Sequence, residues 1–210
     1  VYGNEVNDLV MRLKIAEANF LQAYPGGFAD PALEPTLKKH RMSKMVEFAS
    51  ELFDPGSFYQ PNDFLERLVK LVSRSSMVSM FEKPKFRDAV NDLNSSEREA
   101  LTAALNHLYH GPQEEGLCEV VDILARQKIA KWSVITIGLV YFKPQEEVFV
   151  KPTTAKAIVN KLELDLDYKP RPDWAFYSGY REAIMDIKGR VDPSLSSNNA
   201  ALTGFLMMTL

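Results

Sequence analysis

The sequence predicts an all-α protein, an irregular multi-helix bundle of about nine or ten helices. Two observations carry this. Apolar residues recur at spacings of three and four along most of the chain, and Pro, Gly and Asx residues punctuate the stretches between. The one strand-like region, 132–150, has no other strand to join, and a lone hairpin would be marginal. With 210 residues, 46% of them hydrophobic, the chain suffices for a single domain over 1–210, with an N-terminal helical subregion at 1–56. A chain of this size buries roughly 70% of its unfolded surface and needs no disulfide or structural metal.

The elements follow in order. Val6, Leu9, Val10, Leu13, Ala16, Phe20 and Leu21 make one stripe of a helix over 4–24, stopped by Pro25-Gly26-Gly27. After a loop, the spacing predicts a helix over 35–53 with Leu37, Met45, Phe48, Ala49 and Leu52 inward, ended by Asp54-Pro55-Gly56. Its first half carries Lys38, Lys39, His40, Arg41 and Lys44, which oppose the macrodipole and fit an exposed face. A third helix opens at Pro61 and runs to about Ser73. Periodicity then blurs until Pro84 starts a short helix to Leu93. Ser96 and Glu99 read as a capping box for a helix that ends at Gly111-Pro112. Another covers 114–128.

The run WSVITIGLVYF (132–142) is rich in β-branched and aromatic residues, as a strand is, and continuously apolar, as a buried helix is. With Val148-Phe149-Val150 it could pair as a short β-hairpin near 132–150. A buried helix is favoured. Helices over 153–164 and 173–189 flank a proline-stiffened linker at 168–174. Ser197 or Asn198 caps a last apolar helix.

Net charge is −3, which gives no general reason to expect nucleic acid. The stretch 128–190 holds 11 Lys/Arg against 8 Asp/Glu, so any acidic partner, a phosphate-bearing ligand or nucleic acid, would be met there. Cys118 is the sole cysteine and sits among apolar neighbours, as a small buried hydrophobe would. No run of 18 apolar residues exists and no basic-then-apolar leader opens the chain. We therefore expect a cytoplasmic protein with no membrane partner.

FEKPKFRDAV (81–90) and FVKPTTAKAI (149–158) share Phe-x-Lys-Pro followed by an Ala five residues after the Pro. Each sets a lysine just before a Pro-initiated helix, whose free N–H groups and partial positive charge suit phosphate or carboxylate. The second copy is the better anion site, because Thr153 and Thr154 add hydroxyl donors to Lys151. Lys83 is the weaker equivalent. The plainer reading has Phe and Pro fixing the chain entry and the lysines solvated. Arg171 and Arg181 would support the anion site from an aromatic cluster with Tyr168, Trp174, Tyr177 and Tyr180, although helical spacing of those aromatics says core first. His107 and His110 share metal-ligand spacing, yet they end a helix, where histidine is common, so no metal is expected. There is no GxGxxG, GxxxxGK[ST] or GxSxG motif, and no cofactor is implied.

The phrases MFEKPKFRDAV (80–90), AKWSVITIGLVYF (130–142), EVFVKPTTAKAI (147–158) and NNAALTGFLMM (198–208) resemble an uncharacterised conserved bacterial protein family. The likeness covers roughly residues 60–210. It implies one folding unit and, since no activity attaches to that family, no functional residue.

Three functions are compatible with these residues. The first is a helical binding module holding an anionic partner at Lys151, Thr153, Thr154, Arg171 and Arg181. The second is a homo-oligomeric scaffold that packs through the C-terminal helix with Leu202, Phe205, Leu206, Met207 and Met208. The third is an enzyme without a local motif, whose titratable groups meet only in space.

Overall fold

The computed structural model describes residues 2–210, with side chains from Asp8 onward, so Val6 of the first stripe lies outside them. Among the described residues the chain forms eleven α-helices and no strand. They are α1 (Tyr2–Ala23), α2 (Glu34–His40), α3 (Met42–Leu52), α4 (Pro61–Arg74), α5 (Glu82–Asp92), α6 (Ser95–His110), α7 (Gln113–Arg126), α8 (Trp132–Phe142), α9 (Pro152–Lys161), α10 (Trp174–Lys188) and α11 (Asn199–Thr209). Four short 3₁₀ turns sit in the connections.

The all-α class holds, and the ambiguous run 132–142 is the axis of the fold. In α8 every residue from Trp132 to Tyr141 is buried. A helix buried all round has no amphipathic stripe, which is why its periodicity is silent. The hairpin alternative fails for a physical reason. Val148-Phe149-Val150 is buried but forms no strand, and the backbone donors of Val148 and Val150 go to side chains. Val150 N–H donates to Thr136 Oγ1 on α8 at 3.0 Å, and Val148 N–H to the Tyr177 hydroxyl on α10 at 3.4 Å. Side-chain acceptors replace the missing strand partner.

α3 and α4 pack on α8, α1 and α10 pack on α11, and α6 lies against α7. One apolar core runs continuously from Leu13 to Leu206 and includes the N-terminal helices. In α11, Leu202, Phe205 and Leu206 join it, while Met207 and Met208 are about half exposed.

The boundaries that differ from expectation have local causes. The helix expected over 35–53 is two helices, because Arg41 takes a left-handed conformation (φ 47°, ψ 40°) between them. That break resets the helical phase, so Leu37, expected inward, is 37% exposed. Helices α7 and α9 stop two or three residues early at Schellman motifs built without glycine. Lys128 (φ 58°) and Glu163 (φ 52°) occupy the left-handed position, and the N–H groups of Ile129 and Leu164 reach back to Leu124 O and Val159 O.

The capping box belongs two residues earlier than expected. Asn94 Oδ1 accepts from Glu97 N–H at 2.8 Å, and Glu97 Oε1 accepts from Asn94 N–H at 3.0 Å. Ser96 lies inside the first turn. Asn94→Ala should therefore cost about 1 kcal/mol, and Ser96→Ala close to nothing, in urea unfolding. Equal costs would contradict this assignment. Cys118 also departs from expectation: it is exposed on α7 rather than buried. Phe81 likewise is 82% exposed, whereas Phe149 is 7% exposed, so the two Phe-x-Lys-Pro copies do not pack alike.

Candidate functional site

The linker after α8, residues 143–151, passes between the α6–α7 turn, α10 and the start of α11. It carries Glu147, a buried carboxylate at 6% exposure. An ionised carboxylate that deep must be paired and hydrogen-bonded. Glu147 is both. Arg181 Nη1 donates to Oε1 at 3.0 Å and to Oε2 at 3.1 Å. Gln113 Nε2, from the first residue of α7, donates to Oε1 at 3.1 Å. The Tyr177 hydroxyl donates to Oε2 through a very short bond. The circuit closes where Arg181 Nη1 also donates to Gln113 Oε1 at 2.9 Å. The linker is fixed too: Asn199 Nδ2 donates to Glu147 O at 2.8 Å, and Asn199 N–H to Pro144 O at 2.9 Å.

Helix geometry explains the convergence. Tyr177 and Arg181 are four apart on α10 and so share one face. The same face places the Arg181 guanidinium over the rings of Trp174, at 5.2 Å, and Tyr177, at 5.4 Å. Two aromatic faces and a carboxylate hold the cation in place.

This network forms one wall of an open cavity of about 560 Å³, within the range typical of small-ligand sites. Tyr109, His110 and Gly111 at the end of α6 form another wall, and Lys143 and Glu146 stand at its mouth. His110 Nε2 is 2.6 Å from Phe53 O and donates there, which fixes the ring. Lys143, half exposed, pairs with the largely exposed Glu146 at 3.6 Å. All three of Arg181's protein hydrogen bonds use Nη1. Its side chain is 24% exposed and lines the cavity.

Glu147 is engaged by charged and neutral donors, and so it anchors the linker and Arg181. Its field reaches the nearby phenols. Burial first, then the Glu147 charge, pushes Tyr109 and Tyr177 well above the ordinary tyrosine value of 10.0. Burial alone raises Tyr180. The neutral phenol is thus favoured by folding. That contribution is complete below pH 10 and is lost as pH rises above it. Phenolate absorbance should show Tyr109, Tyr177 and Tyr180 ionising only above pH 10 and together with loss of far-UV ellipticity. Smooth ionisation of all eight tyrosines with the helices intact would contradict this.

The sequence-predicted anion residues do not meet in one place. Lys151 is the exposed N-cap of α9 and makes no side-chain cap. Thr153 is exposed and Thr154 half-buried. Arg171 pairs with Asp122 at 2.7 Å across a separate groove that also holds Cys118 and Trp174. Only Arg181 lines the polar cavity. His107 and His110 do not converge: His107 faces Glu119 at 3.2 Å, and His110 faces Phe53 O.

Glu147, Gln113, Tyr109 and Lys143 escaped sequence reading. One signal was available. Glu147 directly precedes a continuously apolar Val-Phe-Val, where a charge is buried with its neighbours and needs a partner. Compared with known proteins, the chain matches no family model, no curated protein and no solved structure.

Proposed function

We propose that this protein is a helical binding module that takes a small phosphate- or carboxylate-bearing ligand in the cavity beside Arg181. The observation that carries this is the fixed guanidinium. Glu147, Gln113 and two aromatic rings hold Arg181, with Nη1 making every protein hydrogen bond, and its partly exposed side chain lines an open cavity. A preorganised fork costs little entropy to use and suits bidentate anion recognition. Lys143 at the mouth adds a second positive group that an incoming anion would draw from Glu146. His110 and Tyr109 supply polar contacts for ligand hydroxyls. A binding role is favoured over catalysis because the buried carboxylate is already fully engaged.

Lys143→Glu is the discriminating variant, since the residue is half exposed and away from the core. Titration calorimetry with inorganic phosphate and with succinate should show saturable binding that weakens with salt. Lys143→Glu should lower that affinity by about tenfold or more, one charge-assisted contact being worth ~1.5–3 kcal/mol. Absence of binding by both anions, or an unchanged affinity in Lys143→Glu, would overturn the assignment.

A further inference from the structure

The turn between α4 and α5 holds two adjacent apolar side chains out in solvent. Met80 is 83% and Phe81 82% exposed. The turn that presents them is fixed. Val78 before it and Phe86 after it are buried in the core. The N–H groups of Glu82 and Lys83 both donate to Ser79 O at 3.1 Å, and Phe81 N–H donates to Ser79 Oγ at 3.0 Å. The second Phe-x-Lys-Pro copy buries its Phe149, so the motif does not itself require an exposed ring.

The charge around this pair is almost one-signed. Ser133 Oγ donates to Glu82 Oε2 at 2.8 Å, which ties the turn to the first turn of α8. The α7–α8 connection leads directly into Ser133 and is therefore its neighbour. Together the stretches 79–86 and 126–133 hold five Lys/Arg, at Lys83, Lys85, Arg126, Lys128 and Lys131, against one carboxylate, Glu82. Lys83 is half-buried and the other four are exposed. Among the described residues none of the five forms an ion pair. The protein as a whole is negative, at −3, so this concentration of cations is local.

We propose that this end of the molecule docks on an anionic phospholipid surface. Met80 and Phe81 enter the boundary between headgroups and acyl chains, and the five cations face the lipid phosphates. Two inserted side chains or a few lysines bind a bilayer weakly, but the two contributions add when they share one surface. Docking of this kind needs no spanning helix, and no described helix is long and apolar enough to be one. A second copy of the chain is disfavoured by charge, because a twofold contact would set the cations against themselves. It is disfavoured by area too, since two side chains fall far short of the ~800 Å² per partner of a stable interface. Single-stranded nucleic acid is disfavoured because Met80 has no face for a base and one ring is not a stacking platform.

The test is co-sedimentation of the full chain with vesicles of phosphatidylcholine, alone or mixed with about one-third phosphatidylglycerol. Binding should require phosphatidylglycerol and weaken with salt. Lys83→Glu with Lys131→Glu should lower the partition coefficient by about 25-fold or more, each cation at such a surface being worth about fivefold. Met80→Ser with Phe81→Ser changes only exposed positions. That variant should keep its far-UV spectrum and lose about tenfold or more in binding. Tyr59→Ser removes a comparably exposed ring at the opposite end of α4 and should bind as the parent does. Failure to sediment with phosphatidylglycerol vesicles, undiminished binding by the folded Met80→Ser, Phe81→Ser variant, or an equal loss in Tyr59→Ser would overturn the proposal. So would a dimer in sedimentation equilibrium that the Met80→Ser, Phe81→Ser variant converts to monomer, because a second copy would then be the occupant.

Discussion

Glu147→Leu is expected to destabilise the protein by about 3–5 kcal/mol, the usual cost of removing one partner from a buried ion pair. The reason is what stays behind. Arg181 keeps its charge with no counter-ion, and the buried Tyr177 hydroxyl loses its acceptor, while Gln113 Nε2 keeps only Leu108 O. The pair itself is weak evidence for stability, since its desolvation offsets most of its attraction. The double variant Glu147→Leu with Arg181→Met should therefore recover a large part of the loss. Chemical unfolding of the two single variants and the double variant gives the coupling directly. A Glu147→Leu protein within ~1 kcal/mol of the parent would show that water reaches Glu147 and that the network does not hold Arg181. Relief of the Glu147 charge should also let Tyr109 ionise at lower pH, as that charge is one cause of its raised value.

The sequence made the helices legible wherever one face is wet. The α4 stripe predicts all five of its buried residues, the α1 stripe finds Leu13, Ala16 and Phe20, and the α10 stripe finds Tyr177, Tyr180, Ile184 and Ile187 but misses Phe176, because each helix buries one side only. The signal failed where that condition fails. α8 is buried throughout, so only the lack of a second strand argued for a helix. Arg41, Lys128 and Glu163 adopt left-handed backbone without glycine, and nothing in their side chains announces it. The site was harder still. Its residues come from α6, α7, the 143–151 linker and α10, and their convergence is a product of packing rather than spacing. Arg181 was picked out for its aromatic neighbours, and the structure places it over two of them. Lys151, Thr153 and Thr154 share a local geometry that does form, a Pro-initiated helix start, yet none of them lines the Arg181 cavity. A helix start creates donors, but enclosure needs other elements, and those are invisible in a ten-residue window.

Two glycine-to-alanine changes should move stability in opposite directions. At Gly116 an added Cβ would stand 2.7 Å from Leu108 Cα and 2.8 Å from the carbonyl carbon of His107. Those are backbone atoms of α6, which cannot swing aside as a side chain can. Leu108 N stands closer still, so the helices α6 and α7 would have to part by roughly 1 Å to restore ordinary contact. Overpacking costs ~1–3 kcal/mol or more, against ~1 kcal/mol gained from helix propensity. We expect Gly116→Ala to lose about 2 kcal/mol in net stability. Because Gln113 begins α7 and His110 ends α6, the same displacement should pull the cavity walls apart and weaken phosphate or succinate binding. Gly204→Ala meets no neighbour and should gain about 1 kcal/mol. The pair isolates packing from backbone propensity, since the chemical change is identical and both sites are helical. Urea unfolding of both variants decides it. Stabilisation at both positions would mean that α6 and α7 are held less tightly than Gly116 implies, and that Gln113 could not then position Glu147 and Arg181 as described.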